Sequence, residues 1–221
     1  MFTPRLDILP APQRNLWPEL VATPPEFTLY GGTAIALRLG HRASVDFDFF
    51  STQPFTPAVL KDSVPYLRGS RTVQSAANTL TVLVDRGGPV LLSFSGSLGL
   101  GQVAATETAE GSAFAVASLL DLAGTKVAVV TQRAEVKDYQ DIHALITLAG
   151  LDLPTMLAAA IIVYGSEFNP LIALKAISYH DDPGLKGLPA SLRRELLAAV
   201  RATRLENIPQ IVGIRQRETS R

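Results

Sequence analysis

Tyr30-Gly31-Gly32-Thr33-Ala34-Ile35-Ala36-Leu37-Arg38-Leu39-Gly40-His41-Arg42-Ala43-Ser44-Val45-Asp46-Phe47-Asp48-Phe49-Phe50 is the stretch that decides the fold. It reads as a strand feeding a glycine turn, a short helix over 33–39 ended by Gly40, and a second strand over 44–50. Side chains two apart on a strand leave the same face. Asp46 and Asp48 therefore project together, while Val45, Phe47 and Phe49 are expected on the opposite, buried face. Two carboxylates that close repel, and a divalent cation is the usual neutraliser. Oxygen-only ligands with few additional groups suit Mg²⁺ carrying nucleotide phosphates. Upstream, Gly31 and Gly32 let backbone N–H groups approach a phosphate, and the N-terminus of the following helix favours negative charge. Both halves point to nucleotide chemistry.

Working outward, residues 12–21 read as an opening helix and 27–30 as the short strand before the glycines. Residues 56–67 have helical spacing, with Thr56 as N-cap and Pro57 in the first turn. The clearest β signal is a hairpin: Thr79-Leu80-Thr81-Val82-Leu83-Val84-Asp85 and Pro89-Val90-Leu91-Leu92-Ser93-Phe94-Ser95 flank Arg86-Gly87-Gly88. Residues 96–112 are small and polar and read as a loop or boundary. From Ala117 onward the pattern is helical, over 118–132, 136–149, 154–164, 171–179 and 190–205, with Gly, Pro or Asp clusters after 149, 164 and 179. The expected class is α+β, with an α/β domain over 1–115 followed by a helical domain over 116–221.

Gly31-Gly32-Thr33 and Asp46-Phe47-Asp48 are joined by a second block: Asp121-Leu122-Ala123-Gly124-Thr125-Lys126, then Arg133, then Lys137-Asp138-Tyr139-Gln140-Asp141. Over residues 16–148 this pattern resembles the AbiEii/AbiGii toxin family, nucleotidyltransferase-fold proteins related to the DNA polymerase β-like superfamily. The resemblance implies a polymerase β-like mixed sheet whose helical C-terminal half completes the active-site cleft. It also implies Mg²⁺-dependent transfer of an NMP from an NTP to a hydroxyl of RNA or protein. The biological setting it implies is the toxin half of a toxin–antitoxin or phage-defence pair, with a cognate antitoxin. Superfamily enzymes usually carry a third carboxylate on a neighbouring strand, and the corresponding position here is Ser93, a poor Mg²⁺ ligand. Asp85, near the hairpin turn, could substitute or be structural. A scaffold that kept nucleotide or protein binding and lost catalysis is the alternative that Ser93 supports, and transfer to a small molecule is a third.

Each remaining candidate has two readings. Gly31, Gly32 and Thr33 would cradle phosphates or form an ordinary turn. Lys126 reaches phosphates or snorkels at a helix edge. Arg133, two turns on, shares its expected face. Asp138 and Asp141, three apart on a helix, fix Lys126 or Arg133 or supply a general base, and Asp141 is the preferred base or orienting group. Arg42 could contact the triphosphate, and His41, His143 and His180 are assigned no chemistry. An Asp-x-Asp of the haloacid dehalogenase class fits less well, because His41-Arg42-Ala43-Ser44 stand where that motif has a long apolar strand.

The composition sets wider bounds. The 221 residues are 47% hydrophobic, enough for a buried core, and contain no cysteine, which excludes disulfides and thiolate metal sites. Twenty basic residues balance twenty acidic ones, so no global nucleic-acid footprint exists. Residues 186–221 nevertheless carry eight Lys/Arg against three Glu, either a solvated helix face or a weak RNA-facing surface. The longest apolar run, 156–163, is short of the ~20 residues that span a bilayer, and no signal-peptide core is present. A cytoplasmic protein with no membrane partner is expected.

Overall fold

Pro18 cuts short the opening helix. In this computed structural model, which describes residues 1–214, α1 (Ala11–Leu16) gives way to a 3-10 segment at Trp17–Ala22, since proline has no N–H to continue the ladder. Then follow β1 (Thr28–Tyr30), α2 (Gly31–Leu39) and β2 (Asp46–Phe50). The helix expected over 56–67 is α3 (Pro57–Ser63) plus a 3-10 turn at Pro65–Leu67, again broken at a proline. Thr56 is the residue before α3, but its side chain makes no capping bond. Strand β3 (Arg71–Ala76) was not expected, and precedes the hairpin strands β4 (Thr79–Asp85) and β5 (Pro89–Ser95), whose bounds match the sequence pattern residue for residue. Two-residue strands β6 (Glu107–Thr108) and β7 (Ala115–Val116) complete the sheet.

Among the described residues the sheet has seven strands in the order β3-β4-β5-β2-β1-β7-β6. It is mixed: β2 runs parallel to β5 and β1 parallel to β7, while the other neighbours are antiparallel. Its buried face is aromatic. Phe49 stacks on Phe94 at 5.2 Å, Phe27 meets Phe94 edge-on at 5.2 Å, and Trp17 meets Phe114 edge-on at 5.2 Å. Such pairs add about 0.5–1.5 kcal/mol each beyond area burial.

The helical half follows as α4 (Leu119–Val129), α5 (Val136–Thr147), α6 (Leu153–Tyr164), α7 (Pro170–Ser178) and α8 (Ala190–Ala202). Helix α8 stops at Ala202 rather than 205, and Leu205–Asn207 form a 3-10 turn. None of these is long and apolar enough to cross a membrane among the described residues. The architecture is therefore α+β, an N-terminal mixed sheet and then a helical half, as the sequence predicts.

Two compact units result. The first comprises Met1–Gly99 and Thr106–Ala117; the second takes Leu100–Ala105 together with the chain from Ser118 onward. Residues 100–105 thus leave the sheet unit and return to it. Val103 from this strap packs with Ala159 and Val163 of α6, and the Gly101 N–H donates to Val163 O at 2.9 Å.

Candidate functional site

In the first unit the site is built where β1 turns into α2. Gly31 opens the helix at φ +74°, a left-handed conformation that disfavours any side chain. A Cβ on Gly31 would sit 2.5 Å from Asp48 Oδ2. The missing side chain is therefore what lets the Asp48 carboxylate lie against the first turn of α2. The Tyr30 side chain makes no capping bond to that turn, and the positive end of α2 lies beside the Asp48 carboxylate. Thr33 is turned inward instead. Its buried hydroxyl lies 2.7 Å from Ser44 Oγ and donates to the Asp46 carbonyl, fastening α2 to the start of β2.

The alternation of β2 holds. Phe47 and Phe49 are fully buried, while Asp46 and Asp48 are half-buried on the other face. Val45 departs from expectation: it lies before the strand begins and is 49% exposed. Across the sheet Asp48 pairs in register with Ser93, and Ser93 with Thr81; Asp46 pairs with Leu91. The position at which the resemblance leads one to expect a third carboxylate is thus a serine, itself in register with a threonine. Asp85 does not replace it. Its Oδ1 accepts the N–H groups of Gly87 and Gly88 at 3.0 Å each, which fixes the hairpin turn. It also lies four residues along β4 from Thr81, about 13 Å away at strand rise. Among the described residues no group of three or more His, Cys, Asp or Glu is arranged for a metal. Two carboxylates on one strand face still fit Mg²⁺, which is commonly held by one or two carboxylates plus substrate phosphates. Arg42, between α2 and β2 in sequence, donates Nη1 to Ala43 O at 3.0 Å.

In the second unit, α4 and α5 bring four charged groups together. Lys126 is buried, with Nζ 2.6 Å from Asp138 Oδ1 and 2.8 Å from Asp141 Oδ2. Both aspartates are fully buried on one face of α5. Arg133 donates Nε to Asp138 Oδ2 at 2.9 Å and Nη2 to Oδ1 at 3.3 Å. Burial alone would raise the Asp138 pKa, but Arg133 and Lys126 outweigh it and hold the carboxyl below the usual range. The expected geometry of the cations needs correcting. Helix α4 ends at Val129, so Arg133 lies in the connection before α5 and not on the same helical face as Lys126. The two meet through Asp138. Asp141 reaches the Lys126 ammonium, a contact of the kind expected of an orienting group.

Asp121 has a role that sequence reasoning missed. Its carboxylate accepts the N–H groups of Val103 at 2.7 Å and Ala104 at 3.2 Å, and Ser118 Oγ at 2.5 Å, while the Asp121 N–H donates back to Ser118 Oγ. The signal was the Ser118-x-x-Asp121 spacing of a capping box. In the basic C-terminal segment, Arg193 is committed to the carbonyls of Leu188 and Leu185, both at 3.0 Å. Lys186, Arg194, Arg201 and Arg204 are exposed. The part of that segment at 215–221 lies outside the described residues.

Comparison with known proteins adds a family and a fold. Residues 19–211 match the family model described as "Nucleotidyl transferase AbiEii toxin, Type IV TA system". An uncharacterized protein of Aquifex aeolicus (strain VF5) is 32% identical over 130 residues, a match spanning 58% of this chain and 61% of that protein. Among solved structures, MenT4, a nucleotidyltransferase toxin from Mycobacterium tuberculosis H37Rv, superposes with a TM-score of 0.54 at 15% identity, covering 88% of this chain and 83% of MenT4. A candidate nucleotidyltransferase from H. pylori gives a TM-score of 0.52 at 17% identity, covering 86% and 90%. At these identities the structural matches show the fold.

Proposed function

The chain belongs to the AbiEii nucleotidyl transferase toxin family of type IV toxin–antitoxin systems, and from that premise we propose that it transfers an NMP from an NTP to a hydroxyl of an RNA or protein acceptor. The observation that carries the proposal is the Asp48 carboxylate seated against Gly31 at the start of α2, with Asp46 beside it on the same strand face. Gly31 and Gly32 would present backbone N–H groups to the NTP phosphates. Thr33 would contribute through its backbone and by holding Asp46 in place. Asp46 and Asp48 would hold Mg²⁺, which when bound neutralises triphosphate charge and favours ionisation of an attacking hydroxyl. Arg42 and the 44%-exposed Arg133 are the proposed phosphate-binding cations. Lys126 is locked by Asp138 and Asp141, and its role in this proposal is to keep that network neutral and fixed. A cognate antitoxin and a place in growth arrest or phage defence belong to the same proposal, and the family supports them.

The register of Ser93 beside Asp48 favours one second reading, a nucleotide-binding scaffold without turnover. Calorimetric titration with each of the four NTPs, with and without Mg²⁺, separates the two. A transferase binds one NTP in a Mg²⁺-dependent way, loses that binding in Asp46→Ala/Asp48→Ala, and labels an RNA or protein fraction from a radioactive NTP. Binding indifferent to metal and to both aspartates would overturn the proposed site and leave the scaffold.

A further inference from the structure

Away from the aspartates, a cavity of about 390 Å³ opens at the turn end of the β4–β5 hairpin, within the first unit. Three permanently charged guanidinium groups, Arg68, Arg71 and Arg86, line it with Ser70, Tyr66 and one carboxylate, Asp85. Two of these charges are spoken for. Arg86 donates Nε and Nη2 to Glu19 at 2.5 and 2.6 Å and Nη1 to Asp85 O at 2.7 Å. Asp85 accepts the turn amides of Gly87 and Gly88.

The other donors retain capacity. Arg68 uses Nε on the Asp62 carbonyl at 2.8 Å, which leaves its two terminal nitrogens. The exposed Arg71 side chain makes no hydrogen bond or ion pair among the described residues. Ser70 Oγ is buried without a partner among them, an unfavourable arrangement that a hydrogen-bonding ligand relieves. Two guanidinium forks and a hydroxyl match the oxygens of a phosphoryl group.

We propose that this cavity binds the phosphate of an organophosphate, at a site separate from Asp46 and Asp48. Its volume lies within the ~300–1,000 Å³ of ordinary ligand pockets, so it accommodates a sugar-sized body as well as the phosphoryl group. Leu83 on its wall pairs with Leu91, which pairs with Asp46. That register sets the wall two strand spacings from Asp46, about 10 Å. The proposal does not depend on nucleotidyl transfer. Its ligand chemistry could come from a free sugar phosphate or from a phosphodiester chain.

Calorimetry on the full chain at low ionic strength tests it with ribose 5-phosphate, ribose, and single-stranded oligo(U) as competitor. Ribose 5-phosphate should bind and ribose should not. Affinity should fall at least tenfold in Arg68→Gln/Arg71→Gln and several-fold in Ser70→Ala, and stay unchanged in Asp46→Asn/Asp48→Asn. Competition by oligo(U) in the wild type identifies the phosphodiester source; its failure to compete identifies a small sugar phosphate. Both arginines are exposed, and a thermal melt confirms that their variant is folded. Absence of ribose 5-phosphate binding, binding equal to that of ribose, or equal affinity in the double arginine variant overturns the proposal.

Discussion

Replacing Gly31 with alanine should expose how tightly the acidic strand is fitted to α2. Two costs add. At φ +74° any L side chain pays left-handed strain, about 1–2 kcal/mol. The new Cβ would also lie 2.5 Å from Asp48 Oδ2 and 3.3 Å from its Cβ and Cγ, so the carboxylate must retreat by about 1 Å to reach ordinary contact. Overpacking of that kind costs roughly a further 1–3 kcal/mol, and a 1 Å displacement at a reacting centre costs roughly 10²-fold in rate. Gly111 supplies the control: it has φ +75° and nothing within 4 Å of the point a Cβ would occupy, so Gly111→Ala should lose only the strain. Urea denaturation of the wild type, Gly31→Ala, Asp48→Ala, the double variant and Gly111→Ala measures both parts. Gly31→Ala should cost more than Gly111→Ala, and its excess should largely vanish in the Asp48→Ala background, giving a coupling of about 1–3 kcal/mol. Mg²⁺-dependent NTP binding by Gly31→Ala should weaken in parallel. Equal losses at Gly31 and Gly111, or additive effects of Gly31→Ala and Asp48→Ala, would refute the close fit.

Lys126→Met should destabilise the fold by about 3–5 kcal/mol at pH 7, because Asp138 and Asp141 stay buried without their ammonium. Since Asp138 has a depressed folded pKa, its contribution is full above the ordinary carboxylate range and is lost as pH falls through the folded value; urea midpoints from pH 7 to 3 should show the wild type losing stability below about pH 4, with a flatter profile for Asp138→Asn. Asp121→Ala removes the acceptor for the Val103 and Ala104 amides, which should cost about 2–3 kcal/mol and speed hydrogen exchange at both; unchanged exchange would contradict the role. Ser93→Asp places a third carboxylate in register with Asp48, so the variant should be less stable in EDTA, recover with Mg²⁺ and bind the ion more tightly, and an unaltered Mg²⁺ response would count against the register argument.

What was legible in the sequence had a short period or a strong punctuation mark. The hairpin was readable because its alternation is unbroken and Gly87-Gly88 sit at the turn, with Gly87 at φ +80°. Strand β3 was not, since all six of its residues are exposed and an edge strand with no buried face has no alternation to detect. The end of α4 was equally silent: no Gly or Pro follows Val129, yet the chain turns there, with Thr131 Oγ1 bonded to Ala128 O at 2.7 Å. That turn changed how Lys126 and Arg133 come together while leaving their shared partner, Asp138, as one of the two aspartates expected. The aspartate pair followed from strand geometry alone. The contact between Asp48 and Gly31 could not, because it depends on how α2 folds back toward β2.

The detour of residues 100–105 also bears on how the chain can be made and divided. Because this short segment belongs with the later helices, no single cut yields the second unit whole. A fragment starting at Ser118 would seal the Asp121 carboxylate inside without the two amides that satisfy it. During synthesis the order is favourable: the strap is already translated when α4 emerges, so the helices grow onto a partner that is waiting for them. An expression fragment of the helical half, or a fusion inserted at the strap, should therefore fail as a folding unit, whereas the full chain carries its own template.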